Sequence, residues 1–487
     1  MKISRRNFIT GIALSTSVVV IGIAKSGRIV VEVQIISQNA KRNFIDGVQT
    51  DVMAYNDTVP IIRIKKGEFL KATLINNLDE ATTIHWHGIR LPNNMDGVPV
   101  LTQPAVPPKG QFTYEFECID AGSFWFHTHI GSKRQMGRGM VGLLIIEDET
   151  HDQYDKDIAW GYHDQHLGSD GQSISDDMSL MRNRQGAMMG GVHGNVPTVN
   201  GVHIVQNIQE VVAGSIVRLR LLDVDNSRIL KLALYQGKDV YNDAKIIAID
   251  GNAISEPMAL NRYRMGPANR VDIAIRMPTQ VGAEISLANV FLRDPVSIGI
   301  LKTVAGSPKK QSVNFPPMPK INSIPVPDLK EAQILPFVFH NMAVKSTNGG
   351  TEPIWGINEK AWGSESGEYP KPIAKLTVGK SYVFRLKNIS KFSHPIHMHG
   401  HTWWVVRSNK KNTITGYHTD TVLIRPRETI DVAFVADNIG GWMYHCHIVD
   451  HMLTGMMSWV QVGDSEAIEK AKKLTQKQIL ALGGLCE

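Results

Sequence analysis

Hydrophobic and polar residues alternate with a period of two in many short runs, and glycine, proline, asparagine or aspartate bound most of these runs. One such run is "FTYEFEC", in which Phe112, Tyr114, Phe116 and Cys118 share one phase. This alternation predicts short strands with one buried face. The 42 glycines and 23 prolines in 487 residues also favour a turn-rich β protein over a helical one.

One strand pattern occurs three times, at 65–77, 212–223 and 377–388. In each copy a turn glycine precedes the strand, a leucine follows it by seven residues, and an asparagine or aspartate by nine. The outer copies share a second block, 110–129 and 427–447, of which the middle copy keeps only a scaffold version at 269–287. The repeats predict an all-β fold of three consecutive Greek-key β-sandwich domains.

Composition sets the expected domain limits. The three β domains are predicted at 28–150, 158–305 and 336–463, with a Pro/Lys/Ser-rich linker at 305–328. The tail at 464–487 is predicted to contain a short helix capped by Asp464 or Ser465. Packing of this helix on domain 3 is the simplest interpretation, and docking of a partner is the alternative.

Residues 1–27 have the character of an export signal. Ser4, Arg5, Arg6 and Phe8 precede an apolar stretch, 11–24, that is short for a membrane span. The paired arginines indicate export to the periplasm by the twin-arginine machinery, with no stable membrane insertion after processing. An uncleaved anchor helix is the alternative. We leave this segment out of the predicted fold.

Charge and cysteine content narrow the function classes. The formal net charge is +6, and removing residues 1–24 would leave 49 basic and 46 acidic residues. Such a mild excess indicates no nucleic-acid partner. Three cysteines are too few for a disulfide framework. Cys118 is interpreted as a buried strand thiol, and a Cys118–Cys486 disulfide is the alternative.

Histidines are concentrated in the first and third copies. Ten of the 18 form four clusters, "HWHG", "HTH", "HPIHMHG" and "HCHIVDH". Alternating His-x-His on a strand points both imidazoles to the same face, so these clusters predict metal binding. Their members are His85, His87, His127, His129, His394, His397, His399, His445, His447 and His451.

The single cysteine within these clusters suggests two kinds of metal site. Cys446, His394 and His451, with Met456 as a weak axial thioether, form the ligand set of a blue-copper electron-transfer site. The flanking His445 and His447 point to the opposite face. Eight histidines then remain for a second site, a number that suits three coppers, and Cys446 joins the two sites through its own backbone.

In order and spacing, these motifs resemble those of the multicopper oxidases, and the resemblance covers essentially the whole mature chain. It implies three cupredoxin-like domains, with four copper ions held in domain 3 and between domains 1 and 3, and no copper ligands in domain 2. It also implies the reaction. Single electrons are removed from a small reducing substrate at a type 1 copper, and four are delivered to O2 at a trinuclear cluster, yielding water.

Family roles carry over by motif position. The type 1 ligands would be His394, Cys446, His451 and Met456, and the type 2 ligands His85 and His397. One type 3 copper would take His87, His127 and His447, and the other His129, His399 and His445. Catalysis would rest on Cys446, His445, His447 and Asp96.

Proton supply to the cluster would depend on acidic residues close to the copper ligands. Asp96 in "NNMDGVP" matches the family's acid near type 2 and would relay protons, although an Asp-Gly turn alone also explains it. Many bacterial members carry an acid directly after the last type 1 histidine. This chain has Met452 there, which puts a second relay in doubt, and Asp450 is predicted to point elsewhere.

Three substrate hypotheses compete. A laccase-like oxidase of phenols and aromatic amines, acting at an exposed edge of His394 or His451, is favoured. A periplasmic cuprous oxidase is the alternative, although Ser390 and Phe392 stand where such members often carry an acid and a methionine. A copper-free scaffold is disfavoured by the complete ligand set.

Two further segments bear on metal substrates. The segment 163–194 gathers His163, His166, His193, Met178, Met181, Met188 and Met189, which suit Cu(I), although a covering loop with packing methionines is the simpler interpretation. The middle domain resembles laccase-like members linked to manganese oxidation. Asp420 is the candidate edge acid for Mn(II).

Met456 as axial ligand predicts a lower reduction potential for the type 1 copper than an apolar residue would give.

Overall fold

The computed structural model describes residues 19–23, 28–175, 190–260, 262–291, 294–309, 314–345, 351–362 and 371–469, and the structural statements below concern these residues. They form six β-sheets, two in each of three successive domains. Helices are short: α1 is Ser132–Gln135, α2 is Val449–Leu453, and α3 covers 465–469. No helix in these ranges has the length and apolarity to cross a membrane. The all-β prediction is confirmed.

Domain 1 pairs a five-stranded sheet with a four-stranded one. The first holds β1 (Val19–Ile23), β2 (Ile29–Ile45), β3 (Val48–Tyr55), β5 (Phe69–Asn76) and β7 (Gln111–Glu117). The second holds β4 (Ile61–Lys65), β9 (Val141–Glu147), β8 (Gly122–His127) and β6 (His85–His87), in that order. Their facing apolar side chains, such as Leu74 and Trp86, form the core.

Domain 2 is a sandwich of a seven-stranded and a six-stranded sheet. The first has the order β12 (Val202–His203), β11 (Val196–Val199), β10 (Lys156–Gln165), β14 (Ile216–Asp223), β20 (Arg270–Arg276), β17 (Ala244–Ile249) and β18 (Asn252–Ala259). The second contains β13 (Ile208–Val212), β22 (Val296–Val304), β21 (Glu284–Asn289), β15 (Leu230–Gln236), β16 (Asp239–Val240) and β19 (Arg264–Met265).

Domain 3 repeats the plan of domain 1. One sheet has the order β24 (Thr351–Ile357), β23 (Gln333–Lys345), β26 (Ser381–Asn388), β31 (Thr429–Val435), β28 (Trp403–Ser408) and β29 (His418–Thr419). The other has the order β25 (Ala374–Leu376), β33 (Met457–Val462), β32 (Gly440–Cys446), β27 (His394–Met398) and β30 (Thr421–Ile424).

The repeated strand pattern has the same structure in all three domains. Its glycines, Gly67, Gly214 and Gly379, have φ of 86°, 74° and 77°, which side chains other than glycine rarely adopt. The strands that follow are β5, β14 and β26, and each lies beside the long strand that opens its domain, in parallel register. The leucine seven residues after each glycine is fully buried.

An edge strand and a capped helix lie near the two ends of the chain. Val19–Ile23, left out of the predicted fold, pairs antiparallel with β2 as an edge strand; its β-branched residues suit that conformation. Helix α3 begins after Asp464, whose Oδ1 accepts a hydrogen bond from the Ala467 N–H at 2.8 Å, as the predicted cap requires. Cys118 is a free, buried thiol, while Cys486 lies outside the described residues.

Candidate metal centres

Histidine strands of domains 1 and 3 share one local design. In domain 1, β6 pairs antiparallel with β8 so that His85 lies opposite His127. In domain 3, β27 pairs with β32 so that His397 lies opposite His445. Strand alternation places His87 on the same side as His85, while His129, His399 and His447 lie one or two residues beyond the ends of their strands.

The two sets of four histidines meet across the domain boundary. His85 stacks on His399 with ring centroids 3.7 Å apart, and His87 stacks on His397 at 3.8 Å. His447 also reaches domain 1, with its ring 5.0 Å from that of His87 and 5.3 Å from that of His127. All eight predicted cluster histidines therefore converge in one buried space.

Hydrogen bonds orient most of these rings. His85 Nδ1 lies 2.8 Å from the Asp96 carbonyl oxygen, and His397 Nδ1 lies 2.8 Å from that of Asp420. The opposite ring nitrogens carry no hydrogen bond. Buried, unpartnered nitrogens occur at Nε2 of His85, His127, His129, His397 and His447, and at Nδ1 of His87 and His447. A buried imidazole lone pair without a hydrogen-bond partner is typical of a metal ligand and unfavourable in an apolar core.

Burial favours the neutral form of several of these imidazoles. It lowers the pKa of His445 to about 3, with His397 adding to the effect. It also lowers the pKa of His87, His127 and His399 well below the ordinary value, and neighbouring histidines add to this. Neutral imidazole is the form that binds metal. Three-histidine groups whose ligand atoms lie within 4.8 Å of one another include His129, His399 and His445.

A second, smaller donor group lies behind the first. The Cys446 sulfur is 3.7 Å from His394 Nδ1 and 3.6 Å from His451 Nδ1, and the two nitrogens are 3.1 Å apart. The Cys446 N–H donates to the carbonyl oxygen of Met456 at 3.0 Å, which holds this buried methionine beside the group. One thiol, two imidazoles and a thioether fit copper.

The prediction of an exposed edge on His394 or His451 is wrong. Both side chains are fully buried. The Trp355 ring covers them, with its centroid 4.3 Å from that of His451 and 4.9 Å from that of His394. The outer nitrogen of His394, Nε2, lies 2.8 Å from Ser390 Oγ.

Asp96 is placed where it contacts both domains. Its Oδ2 lies 2.8 Å from His399 Nδ1 of domain 3, and its Oδ1 lies 3.2 Å from His85 Nδ1 of domain 1. It also ends the short 3-10 helix Asn93–Met95 and precedes Gly97, which has a φ of 82°. The turn and the carboxylate contact to histidine are therefore both present.

Asp420 does not lie at an outer edge, contrary to the sequence analysis. It is buried, and its Oδ1 lies 3.0 Å from His87 Nε2. Arg270 of domain 2 donates to its two oxygens at 2.8 and 2.6 Å. Burial alone would raise the pKa of Asp420, but Arg270 and the histidines hold it well below the ordinary range. The sequence did not indicate this ion pair, because Arg270 stands in an ordinary strand sequence, Arg-Val-Asp, in another domain.

The second relay position carries no proton-transferring group. Met452 lies with Met136 against a small cavity bordered by His127, His129, His445 and His447. Asp450 points away, as predicted: its Oδ1 is 3.3 Å from Lys133 Nζ, and its Oδ2 accepts the Val192 N–H at 2.6 Å.

The His/Met-rich segment contributes no metal group among its described residues. His163 Nδ1 lies 3.0 Å from Gln165 Nε2, and His193 Nδ1 lies 3.1 Å from Ser227 Oγ. Met178, Met181, Met188 and Met189 lie outside the described residues.

Comparisons of the sequence and of the overall structure with known proteins point to one family. Two family models, each described as multicopper oxidase, match residues 37–151 and 331–466. The crystal structure of a multi-copper oxidase from Pseudomonas thermotolerans is 34% identical and superposes with a TM-score of 0.79, covering 90% of this chain and 100% of that one. The chain belongs to the multicopper oxidase family.

More distant relatives agree with this assignment. Multicopper oxidase MmcO of Mycobacterium tuberculosis is 25% identical, over 85% of this chain and 83% of the relative. Laccase-1 of Botryotinia fuckeliana is 26% identical, over 84% of this chain and 78% of the relative. The three domains are thus cupredoxin-like, and the protein is a copper-dependent oxidoreductase that uses O2 as electron acceptor.

Proposed function

We propose that this multicopper oxidase is laccase-like. It would remove one electron at a time from phenols or aromatic amines and reduce O2 to water with four electrons and four protons. The observation that carries the proposal is the meeting of eight histidines, seven of them buried and His129 half-buried, beside a buried Cys/His/His/Met group. A member without redox function would not need both donor groups.

The proposed cofactor is four copper ions. His394, Cys446, His451 and Met456 would hold one type 1 ion. The type 2 ion would take His85 and His397, and the type 3 ions would take the two sets His87, His127, His447 and His129, His399, His445. The compact group of His129, His399 and His445 supports the second type 3 set, and the unpartnered ring nitrogens of His85, His397, His87, His127 and His447 supply donors for the other two ions.

Copper supplies the one-electron redox chemistry at both donor groups. The chain supplies the connection between them, because Cys446 lies in the smaller group and its chain neighbours His445 and His447 lie in the larger one. The N–H to carbonyl hydrogen bond from Cys446 to Met456 fixes this junction. Burial of all three side chains excludes water from it.

Asp96 is proposed to handle protons. Its carboxylate holds His399 through Nδ1 at 2.8 Å, and its backbone carbonyl holds His85. A carboxylate so close to the histidines can orient them and accept or donate a proton during O2 reduction. Met452 cannot share this role, and Asp420, the other carboxylate beside the histidines, is paired with Arg270. We therefore assign proton handling to Asp96.

The choice of organic substrates rests on the type 1 surroundings. Ser390, not an acid, lies against His394, and Phe392 carries no thioether for Cu(I). The fungal relative named a laccase adds support.

Twin-arginine export to the periplasm remains part of the proposal, supported by Arg5 and Arg6 before the apolar stretch.

Oxygen uptake by copper-loaded protein tests the proposal, with a phenol, Cu(I) and Mn(II) compared as reductants. We expect uptake with the phenol and none from Cys446→Ser, which keeps the shape of the side chain but loses the thiolate. Uptake mainly with Cu(I) would move the function to cuprous oxidation. No uptake with any of the three by a fully loaded protein would contradict the substrate class.

A further inference from the structure

A cleft lies between domains 2 and 3, outside both donor groups, and its wall includes strand β30, which pairs with β27. Its cavity is about 500 Å³ and is lined by domain 2 residues near β18 and β19 and by domain 3 residues near β30. None of the twelve proposed copper ligands lines it. This volume lies in the range of clefts that hold small organic ligands.

The domain 2 side of the cleft carries uncompensated positive charge. Arg262 and Arg264 line the cavity, both are exposed, and neither has a carboxylate within ion-pair distance among the described residues. Strand β15 pairs with β19 so that Lys231 lies directly opposite Arg264. Like charges opposite each other destabilise a sheet. Partial burial lowers the pKa of Lys231, and Arg264 and Arg262 lower it further.

The domain 3 side does not neutralise this charge. Arg425 lines the cavity, but its guanidinium is already paired with Glu428, at 3.2 Å between Nε and Oε2. The described lining contains no aspartate or glutamate. The cleft therefore presents at least two cations without an acidic partner, an arrangement that favours an anion.

The walls of the cleft are apolar and aromatic. Met258 and Leu423 face the cavity from opposite domains, together with Tyr263 and Tyr417. Burial raises the pKa of both tyrosines, and the nearby Asp250 raises it further for each, so their phenol groups are neutral. Aromatic rings beside arginines suit a flat ligand that carries an acidic group.

The cleft lies one strand away from the histidines. Asn269, which lines the cavity, donates to the carbonyl oxygen of Thr421 at 2.7 Å. The hydroxyl oxygen of Thr421 lies 3.2 Å from His87 Nε2 and 3.1 Å from His397 Nδ1. A ligand in the cleft would thus contact the strand that also supports the larger donor group.

We propose that this interdomain cleft binds an organic anion with a flat apolar body and a carboxylate, sulfonate or phosphate group. The arginines Arg262 and Arg264 hold the acidic group, and the apolar and aromatic walls hold the body. This site is separate from substrate oxidation, so it stands whichever reductant the oxidase uses.

Isothermal titration calorimetry of the copper-loaded protein with naphthalene-2-sulfonate tests the site. Naphthalene-2-sulfonamide, uncharged and of similar shape, is the matched ligand; neither carries a phenol or an arylamine. We expect one sulfonate bound per chain. The double variant Arg262→Gln/Arg264→Gln should weaken binding by about tenfold or more. Lys238→Gln, an exposed lysine outside the cleft, should leave it unchanged.

Met258→Trp separates charge from shape, because it fills the cavity and keeps both arginines. We expect it to abolish binding while thermal unfolding remains cooperative. Equal affinity for the sulfonate and the sulfonamide, or equal affinity of the parent and the double-glutamine variant, would overturn the proposal. Absence of sulfonate binding by the parent protein would overturn it as well.

Discussion

At the scale of single residues, the side chains around the histidines control them through the ring nitrogen that faces away from the metal space. Asp96 contacts His399 at 2.8 Å, and Ser390 contacts His394 at the same distance. Such contacts fix ring orientation and set the donor strength of the other nitrogen. Two substitutions measure these effects separately.

Asp96→Asn replaces the carboxylate with a neutral group of the same shape. We expect turnover with O2 to fall about 10- to 100-fold, because the amide neither moves protons nor strengthens His399 as a donor. Anaerobic reduction of the Cys446 site by the organic substrate should keep its rate, since that site is untouched. Stopped-flow absorbance in the absence and presence of O2 separates the two steps. Equal turnover by the variant would rule out the proposed role.

Ser390→Ala removes the hydroxyl that holds His394 Nε2. His394 then becomes a weaker donor, which favours the reduced metal, so the reduction potential of the type 1 site should rise. A hydrogen bond is worth about 1 kcal/mol, or about 40 mV for one electron, so the shift is on the order of tens of millivolts. Ser390→Thr keeps the hydroxyl and is the control. A redox titration followed by absorbance measures both variants, and a fall in potential would contradict the argument.

The sequence predicts the metal-ligating residues more accurately than the contacts of the residues that surround them. Short-range alternation in motifs such as "HCH" fixes which side chains share a face, and this requires no knowledge of the fold. Asp420 was assigned to the wrong place because its role depends on Arg270, which lies 150 positions away in another domain. The burial of His394 and His451 under Trp355 depends on β24 in the same way.

At the scale of elements, one tight turn sets the position of β6. Asn93, in the 3-10 helix before Asp96, donates through Nδ2 to the Gly441 carbonyl oxygen of β32 at 2.7 Å. Gly97 then turns the chain back beside Ile84, immediately before β6. This turn therefore aligns Asp96, the domain 1 histidines and the domain 3 strand with one another.

Gly97→Ala tests the importance of that turn. An added Cβ would lie 1.7 Å from the Ile84 carbonyl oxygen, at a φ of 82°, so the backbone before His85 must move. Gly67→Ala is a matched control, because φ is 86° and nothing lies within 4 Å of the new Cβ. We expect the control to lose about 1–2 kcal/mol of unfolding free energy. Gly97→Ala should lose more and also bind less copper, as measured by urea unfolding and metal analysis.

The strand repeats were predictable because each domain uses the same local signal, a turn glycine and an alternating strand. The edge strand Val19–Ile23 was not predicted, because an apolar run after paired arginines is equally typical of an export signal. Helix α2 was also missed. It is only five residues long and is fixed by contacts between domains, including the Val449 N–H to the Asn226 carbonyl oxygen at 2.9 Å.

At the scale of the whole molecule, a buried ionic network joins domains 1 and 2. Arg220 donates to Asp157 at 2.8 Å and to Ser123 of β8 at 3.1 Å. Arg218 donates to Asp148 at 2.6 Å. Burial would raise the pKa of Asp157 and Asp148, but the arginines outweigh it and lower both, that of Asp157 well below the ordinary value.

These shifts predict the response to acid. The unfolded aspartates take up protons near their ordinary pKa of about 3.9, while the folded ones do so only at lower pH. The stabilisation from the pairs is therefore complete above about pH 5 and is lost as the pH falls through the lowered folded-state pKa. Urea unfolding across this range should show a declining free energy of unfolding.

Arg220→Gln should weaken this dependence for Asp157, which keeps Arg63 and His151 as partners at 3.2 Å each. Removing one partner of a buried pair costs about 3–5 kcal/mol near neutral pH. The folded-state pKa of Asp157 would then lie closer to its unfolded value, so the difference in stability between variant and parent should shrink as the pH falls below about 4. Arg276→Gln, which breaks a partly exposed pair with Asp243, should change stability by less than about 1 kcal/mol. An equal loss of unfolding free energy at every pH, relative to the parent protein, would contradict the electrostatic explanation.

The two halves of the histidine centre are alike in number and register, with His85 opposite His127 in domain 1 and His397 opposite His445 in domain 3. One of their differences bears on metal binding: Thr128 stands in "HTH" where Cys446 stands in "HCH". The Thr128 hydroxyl is committed to Gln135 at 2.9 Å and offers no sulfur. The sulfur is thus present in only one half of a duplicated scaffold. Under the proposed copper assignment this would give the molecule a direction, because electrons would have a covalent entry from the carboxyl-terminal half and none from the amino-terminal half.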